Sequence, residues 1–375
     1  MSEPLALYVH VPFCSSRCGY CDFNTYTATE LGNDVRQATF NEVLMAEIRQ
    51  ARAHLGPREV TSVFFGGGTP TLLDAEALTL ILREVDASFD LAADAEVTTE
   101  ANPDSVDEAY LATLRSGGFT RISFGMQSLA PHVLRTLGRT HAPEQSIAMA
   151  RAARRVGFDH VNVDLIYGTP GERDDDVRAS LDAVLEAGVD HVSAYALIVE
   201  QGTPLDRRIR RGEIPEPDDD IAAERYELID ERLNAAGLPW YEVSNWARPG
   251  GECRHNLAYW RNADWWGIGP GAHSHVDGVR WWNVKHPRTY AERVASIGSP
   301  IEDREVLTEA DRRVERIMLA IRMAPGLPAD EFDPDTVSTL VGDGLLDPVR
   351  VADGALVLTR RGRLLANRVI AALLA

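Results

Sequence analysis

Cys14-Ser15-Ser16-Arg17-Cys18-Gly19-Tyr20-Cys21 sets three thiols at x3 and x2 spacing near the start of the chain. Spacing this tight gathers three sulfurs around one centre. Iron–sulfur clusters are held by thiolates, normally four of them; three leave one iron of a [4Fe–4S] cube with an open coordination site, where a substrate or cofactor can bind. The alternative is a structural zinc site completed by His10 or by the distant Cys253, although zinc ligands usually come as paired Cys-x2–4-Cys knuckles. A second concentration of chemistry lies far downstream. All seven tryptophans (Trp240, Trp246, Trp260, Trp265, Trp266, Trp281, Trp282) share one segment with four histidines.

Regular elements must position these groups. β-Branched or aromatic runs recur at Leu5–Val11, Val60–Phe65, Glu96–Glu100, Arg121–Phe124, His160–Ile166 and His191–Val199, and predict six strands. Helical spacing fills the intervals. From Val35 to Leu55, the residues Phe40, Val43, Leu44, Ile48 and Leu55 form one stripe before Gly56-Pro57 stops it. Asp176–Ala187 and Asp219–Ala236 run to Gly188 and Gly237, where a left-handed residue closes a helix. Six β-α repeats with short turns predict a parallel sheet with helices outside, and right-handed crossovers curl such a sheet toward a barrel. The expected fold class is therefore α/β, a partial (β/α)6 TIM-like barrel. Beyond Pro300 the texture is Ala/Arg/Leu-rich. Gly344-Leu345-Leu346, Ala355-Leu356-Val357-Leu358-Thr359 and a last helix from about Arg361 predict a small helical, winged-helix-like domain. The expected division is 1–237 for the barrel, 238–299 for an aromatic-rich extension and 300–375 for the C-terminal domain.

The chain has 375 residues, 45% hydrophobic and 25% charged, which excludes a disordered or collagen-like protein. Its charges, 38 basic against 57 acidic, sum to -19. That sign repels a phosphate backbone, and no block of Lys or Arg offsets it, so nucleic-acid binding is not expected. Three of the four cysteines crowd into one short loop, unlike a secreted disulfide framework, and point to a reducing cytoplasm. Met1 to Phe13 lacks a basic leader region, and no apolar run approaches the roughly 18 to 20 residues of a membrane span.

The cysteine spacing resembles the signature of the radical S-adenosylmethionine (SAM) superfamily. The resemblance implies a [4Fe–4S] cluster on Cys14, Cys18 and Cys21, with SAM chelating the open iron through its amino and carboxylate groups. One electron then cleaves SAM to methionine and a 5′-deoxyadenosyl radical, so the cofactor carries the hard chemistry. It also implies a partial (β/α)6 barrel, in agreement with the strand count. Gly66-Gly67-Gly68-Thr69-Pro70 corresponds to the family element that meets the methionine amino group, which makes Gly67, Gly68 and Thr69 SAM candidates; glycines there allow close backbone approach. At strand ends, where barrel sites are built, Glu100, Gln127 and Asp164 suit ribose hydroxyls and the methionyl ammonium. Arg139, in Leu137-Gly138-Arg139-Thr140-His141, suits the carboxylate. Tyr8 and Tyr20 are expected neighbours of SAM and cluster. Taken singly, these polar residues also read as solvated or capping groups and Tyr8 as an ordinary strand aromatic; their order along the barrel favours a ligand set.

Within the superfamily, Tyr8-Val9-His10-Val11-Pro12-Phe13-Cys14, Gly66-Gly67-Gly68-Thr69-Pro70-Thr71 and Asp164-Leu165-Ile166-Tyr167-Gly168 are similar to the coproporphyrinogen III oxidase-like group. That group holds oxygen-independent coproporphyrinogen III dehydrogenases and heme chaperones. The dehydrogenases carry a long N-terminal extension and a fourth cysteine two residues past the third; here the first strand begins at residue 5, and Cys21 is followed by Asp22-Phe23. His255-Asn256-Leu257-Ala258-Tyr259-Trp260 resembles the H-N-x-x-Y-W motif of the chaperones. An imidazole ligates heme iron, and Tyr and Trp faces stack on a porphyrin. The resemblance thus implies heme held at His255 and passed to apo-hemoproteins, at the membrane face or in the cytoplasm, by a monomer or homodimer. The alternative is oxidative decarboxylation of coproporphyrinogen III. Two bland readings stand beside it: His255 as a hydrogen-bonded core residue, and the tryptophans as a plug for the open side of the barrel. Cys253 is either a second iron ligand or a buried small hydrophobe.

Overall fold

The computed structural model describes residues 4–32, 37–296 and 298–375. All six expected strands form: β1 (Leu5–Val11), β2 (Glu59–Gly67), β3 (Asp90–Ala101), β4 (Arg121–Gln127), β5 (His160–Tyr167) and β6 (His191–Ala196). They pair in sequence order, every pair parallel. β6 stops short of the expected Val199, its last rung being the Leu197 N–H donated to the Tyr167 carbonyl at 2.8 Å.

The helix predicted from Val35 runs Gln37–Leu55; Val35 itself lies outside the described residues. Its Phe40, Leu44 and Ile48 are buried as the stripe requires, and each such side chain contributes about 1.5–3 kcal/mol. The later helices cover Asp174–Glu186 and Asp219–Ala235. The first starts earlier than its hydrophobic pattern because the Asp176 carboxylate takes the Arg173 N–H at 2.8 Å and so anchors the first turn.

Six further strands join the same sheet: β7 (Trp240–Glu242), β8 (Asn245–Ala247), β9 (Asp264–Ile268), β10 (His273–Val276), β11 (Val279–Asn283) and β12 (Ile301–Val306). The order is β12-β11-β10-β9-β1-β2-β3-β4-β5-β6-β8-β7. The barrel is therefore open: β1 is flanked by β9, parallel to it, and β6 by β8, antiparallel to it. Between these two edges the chain crosses beneath the barrel as the Arg254–Trp260 helix. Residues after Gly237 thus add to both edges of the sheet, and one hydrophobic core runs from Leu5 to Val294.

Residues from Ile317 to Leu373 build a second core around Leu340, Leu345, Leu356 and Val369. Leu327–Pro328 pairs antiparallel with Ala355–Leu356, and Leu346 bridges to Leu358. Short helices, ending with Ala366–Leu374, complete the unit. It is fastened to the barrel at Asp230, which accepts from both Arg363 Nη atoms (2.9 and 2.8 Å) and from Arg360 Nε (2.9 Å). The Arg363 guanidinium also lies 4.6 Å from the centre of the Trp240 ring. Among the described residues, no helix is long and apolar enough to cross a membrane.

Candidate functional site

A cavity of about 960 Å³ opens at the carboxyl ends of the barrel strands. Cys14, Cys18 and Cys21 line it, each partly exposed, together with Tyr20, Gly67, Gly68, Thr69, Glu100, Gln127, Arg139 and Asp164. The structure thus brings together every residue expected around cluster and SAM except Tyr8. Tyr8 sits behind Gly66, where its hydroxyl meets His10 Nδ1 at 3.0 Å and its ring stacks on Phe64.

Local sequence explains how the cysteine loop is held. Gly68 N–H donates to the Val11 carbonyl (2.8 Å) and Thr69 N–H to the Phe13 carbonyl (2.7 Å), which laces the glycine turn to the strand leading into Cys14. A Cβ on Gly68 would stand 2.3 Å from the Phe13 carbonyl oxygen, so only glycine allows that approach. On the other side, Gly19 N–H donates to the Leu137 carbonyl at 2.9 Å, and Gly138 turns in the left-handed region with φ 72°. Next to it, Arg139 donates Nη1 to Cys18 Sγ (3.3 Å) and Nη2 to the Gly125 carbonyl (2.8 Å). Its Nε is buried without a partner among the described residues. Gln127 closes β4 with φ 67°, a strained conformation for a non-glycine residue and one that concentrates at functional sites.

The electrostatics are those of a cation receptor. Burial, and then the neighbouring Asp164 carboxylate, push Glu100 up to about 8. Burial also raises Asp164, against hydrogen bonds from Ser123 (2.9 Å) and Asn162 (2.7 Å). Two buried carboxyls that resist ionisation welcome a positive group, whose arrival returns both to the charged state. Burial raises Cys14 as well and pushes Cys21 up to about 11, so metal binding releases protons from both thiols.

The cavity continues down to the barrel floor, where Arg121, Asn162, His191, Cys253 and Asn256 line it. Arg121 pairs with Glu96 (2.9 Å) and donates to the carbonyls of Gly251 and Glu252. Arg121 Nη1 and Thr98 Oγ1 are buried without partners among the described residues, and both residues line the cavity. These floor groups escape a reading of strand ends. Their signal is an alternation: Glu96, Thr98, Glu100 on β3, Arg121, Ser123 on β4, Asn162, Asp164 on β5 and His191, Ser193 on β6 are polar at every second position, with mostly apolar residues between them.

His255 stands apart from the cavity, buried within the floor. Its Nδ1 meets Ser62 Oγ at 2.9 Å, its Nε2 meets the Tyr259 hydroxyl at 2.9 Å, and its backbone N–H donates to Glu96 at 3.1 Å. Burial lowers the imidazole to about 4, so it is neutral and fully hydrogen-bonded. Cys253 is also buried and donates to Glu96 at 3.4 Å. That is the arrangement of a small structural thiol.

Residues 8–184 match the model of the radical SAM superfamily. Heme chaperone HemW of Mycobacterium tuberculosis is 53% identical over 375 residues, 99% of this chain and 95% of that protein. The chain belongs to the HemW branch of the radical SAM superfamily. Heme chaperone HemW of Bacillus subtilis is 32% identical over 382 residues, 98% of both chains. The structure of coproporphyrinogen III oxidase (HemN) from Escherichia coli, described as a radical SAM enzyme, superposes with a TM-score of 0.85 at 25% identity, over 99% of this chain and 90% of that one.

Membership of the radical SAM superfamily implies SAM and a [4Fe–4S] cluster, and the upper site fits both. Three thiols on one loop, fixed from two sides, are a cluster donor set. Among the described residues, no three His, Cys, Asp or Glu side chains converge closely enough to hold a single metal ion.

Proposed function

We propose that this chain binds heme and hands it to apo-hemoproteins, and that it carries a [4Fe–4S] cluster on Cys14, Cys18 and Cys21 with SAM in the cavity beside it. The observation that carries the reading is 53% identity, across 99% of this chain, to a relative named heme chaperone. The segment His255–Trp260 supports it. Cluster-bound SAM, when present, supplies one-electron chemistry. The chain's own residues do the holding. Glu100 and Asp164 receive the ammonium, the backbone of Gly67 and Gly68 approaches it closely, and Arg139 pairs with the carboxylate while bonded to Cys18. Gln127 suits the ribose hydroxyls, Thr69 belongs with the glycine turn beside the methionine amino group, Tyr20 walls the cluster side, and Tyr8 stands behind Gly66 near Glu100.

The same reading places the chain in the cytoplasm or at a membrane face, as monomer or homodimer, with 1–237 and 238–299 sharing the sheet and 300–375 as the C-terminal unit, whose first strand, Ile301–Val306, still joins that sheet. His255 enters it as the motif histidine. Both of its ring nitrogens are engaged in the folded chain, so it ligates iron only if the Arg254–Trp260 helix leaves the floor.

Heme titration of the anaerobically reconstituted protein tests the proposal: stoichiometric binding with a Soret shift is expected, and no binding removes it. The second reading, oxidative decarboxylation of coproporphyrinogen III, draws on the TM-score of 0.85 to the HemN structure. Anaerobic incubation with dithionite, SAM and coproporphyrinogen separates the two. Protoporphyrinogen formation rules out a pure chaperone.

A further inference from the structure

His273 differs from His255 in the one respect that matters for iron: its imidazole is exposed. β9, β10 and β11 place Trp265, His275 and Arg280 opposite one another, with His273 opposite Trp282 in the next row. Trp266 and Trp281 are buried in the core, whereas Trp265, His273 and Arg280 line a separate cleft of about 440 Å³. Tyr259 closes one side of the cleft, and the Glu309–Ala320 helix leans over the other with Met318 and Leu319. Among the described residues, neither ring nitrogen of His273 has a hydrogen-bond partner; the ring stacks on Trp282 at 5.7 Å. Partial burial, then the positive charges of Arg280 and Lys285, lower its proton affinity, which leaves the neutral imidazole that a metal needs.

Resting on the heme-chaperone reading, we propose that this cleft is the heme seat and that His273 is the axial ligand. A porphyrin edge would enter between the Trp265 and Tyr259 rings and the Met318–Leu319 wall, with an imidazole lone pair toward the iron and the charge of Lys285 near its carboxylates. One coordinate bond forms, from an imidazole nitrogen to ferric iron, and no electron moves. The partial cover suits a cargo that must leave again. This placement also gives the H-N-x-x-Y-W motif a role that burial of His255 otherwise denies it. His255 Nε2 holds the Tyr259 hydroxyl at 2.9 Å, Tyr259 meets Trp265 edge to face at 5.0 Å, and Trp265 Nε1 donates to the His273 carbonyl at 3.2 Å. His255 is thus a positioning residue, two aromatic rings behind the ligand.

The test is titration of the full, cluster-loaded chain with ferric hemin, read by Soret absorbance and electron paramagnetic resonance. His273→Ala is expected to weaken binding roughly tenfold at least, the least that even an outer-shell partner costs a metal site, with cluster absorbance and thermal stability unchanged. Added imidazole should restore the histidine-ligated spectrum in His273→Gly. His255→Ala should lower thermal stability and, in its folded fraction, weaken hemin binding less than His273→Ala does while keeping the histidine-ligated spectrum. Wild-type hemin binding by His273→Ala overturns the cleft and leaves the chaperone reading standing. Failure of the unmutated chain to bind hemin at all removes that reading, and this one with it.

Discussion

The two ends of the barrel are built from opposite materials. At the carboxyl end, glycine turns and a cysteine loop leave groups short of partners: three part-exposed thiols, a buried Arg139 Nε and two carboxyls that resist ionisation. Beneath the cavity, His255, Glu96, Cys253 and Ser62 satisfy one another, while Arg121 Nη1 and Thr98 Oγ1 above them stay unpaired among the described residues. A motif can therefore mark either an incomplete site awaiting a ligand or a completed joint. Counting unspent hydrogen-bonding capacity separates the two, because buried polar groups left unpaired are costly unless something arrives to pair them.

Mutation sharpens the contrast. Replacing Cys18 with Ala should abolish cluster formation, measured as iron content and visible absorbance after anaerobic reconstitution, while thermal unfolding of the apo-protein shifts little. A large loss of apo-protein stability would mean that the upper loop is structural after all. The floor should behave in reverse. His255→Ala removes two ring hydrogen bonds and opens a cavity, so a loss of roughly 2–4 kcal/mol in denaturant unfolding is expected, with iron content retained.

Asp230→Asn probes a third joint, the latch to the C-terminal unit. Hydrogen bonds from Arg363 and Trp246 overcome burial and hold the Asp230 carboxyl below its ordinary value. Its stabilising contribution is therefore present above the ordinary carboxylate range and lost as pH falls through the lowered value. Neutralising it should cost about 1–3 kcal/mol, flatten the acid limb of the stability profile and speed proteolysis near residue 306, read by limited digestion. Glu100 has the opposite sign: raised to about 8, it favours the folded apo-protein most below its ordinary value of 4.5 and loses that contribution as pH climbs through about 8. Glu100→Gln should reduce this decline and leave the part that Asp164 contributes, visible as a flatter melting temperature between those limits. SAM should flatten it in the unmutated chain too, if its ammonium pairs with Glu100.

Much of the barrel was legible in the residues. Apolar strands separated by helical stripes, with Gly188 and Gly237 at helix ends, determine a parallel β-α succession because burial on both strand faces leaves few alternatives. The upper site was legible for a related reason: cysteine spacing and glycine turns are local, and local geometry follows local sequence. Three things were not legible. The polar alternation inside the strands was masked by its apolar neighbours. The route of residues 238–306 to both edges of the sheet depends on long-range pairing, which no window of sequence contains. The burial of His255 follows from that route, since only the crossing beneath the barrel brings it to Ser62 and Glu96.

That crossing has a consequence for synthesis. β1 leaves the ribosome long before one of its two neighbours, the far downstream Asp264–Ile268. At about 5–20 residues per second, the nascent protein carries a bare, apolar strand edge for on the order of ten seconds or more. Such an edge invites pairing with other chains, so translation speed and early shielding of Leu5–Val11 should govern how much of this protein is recovered intact.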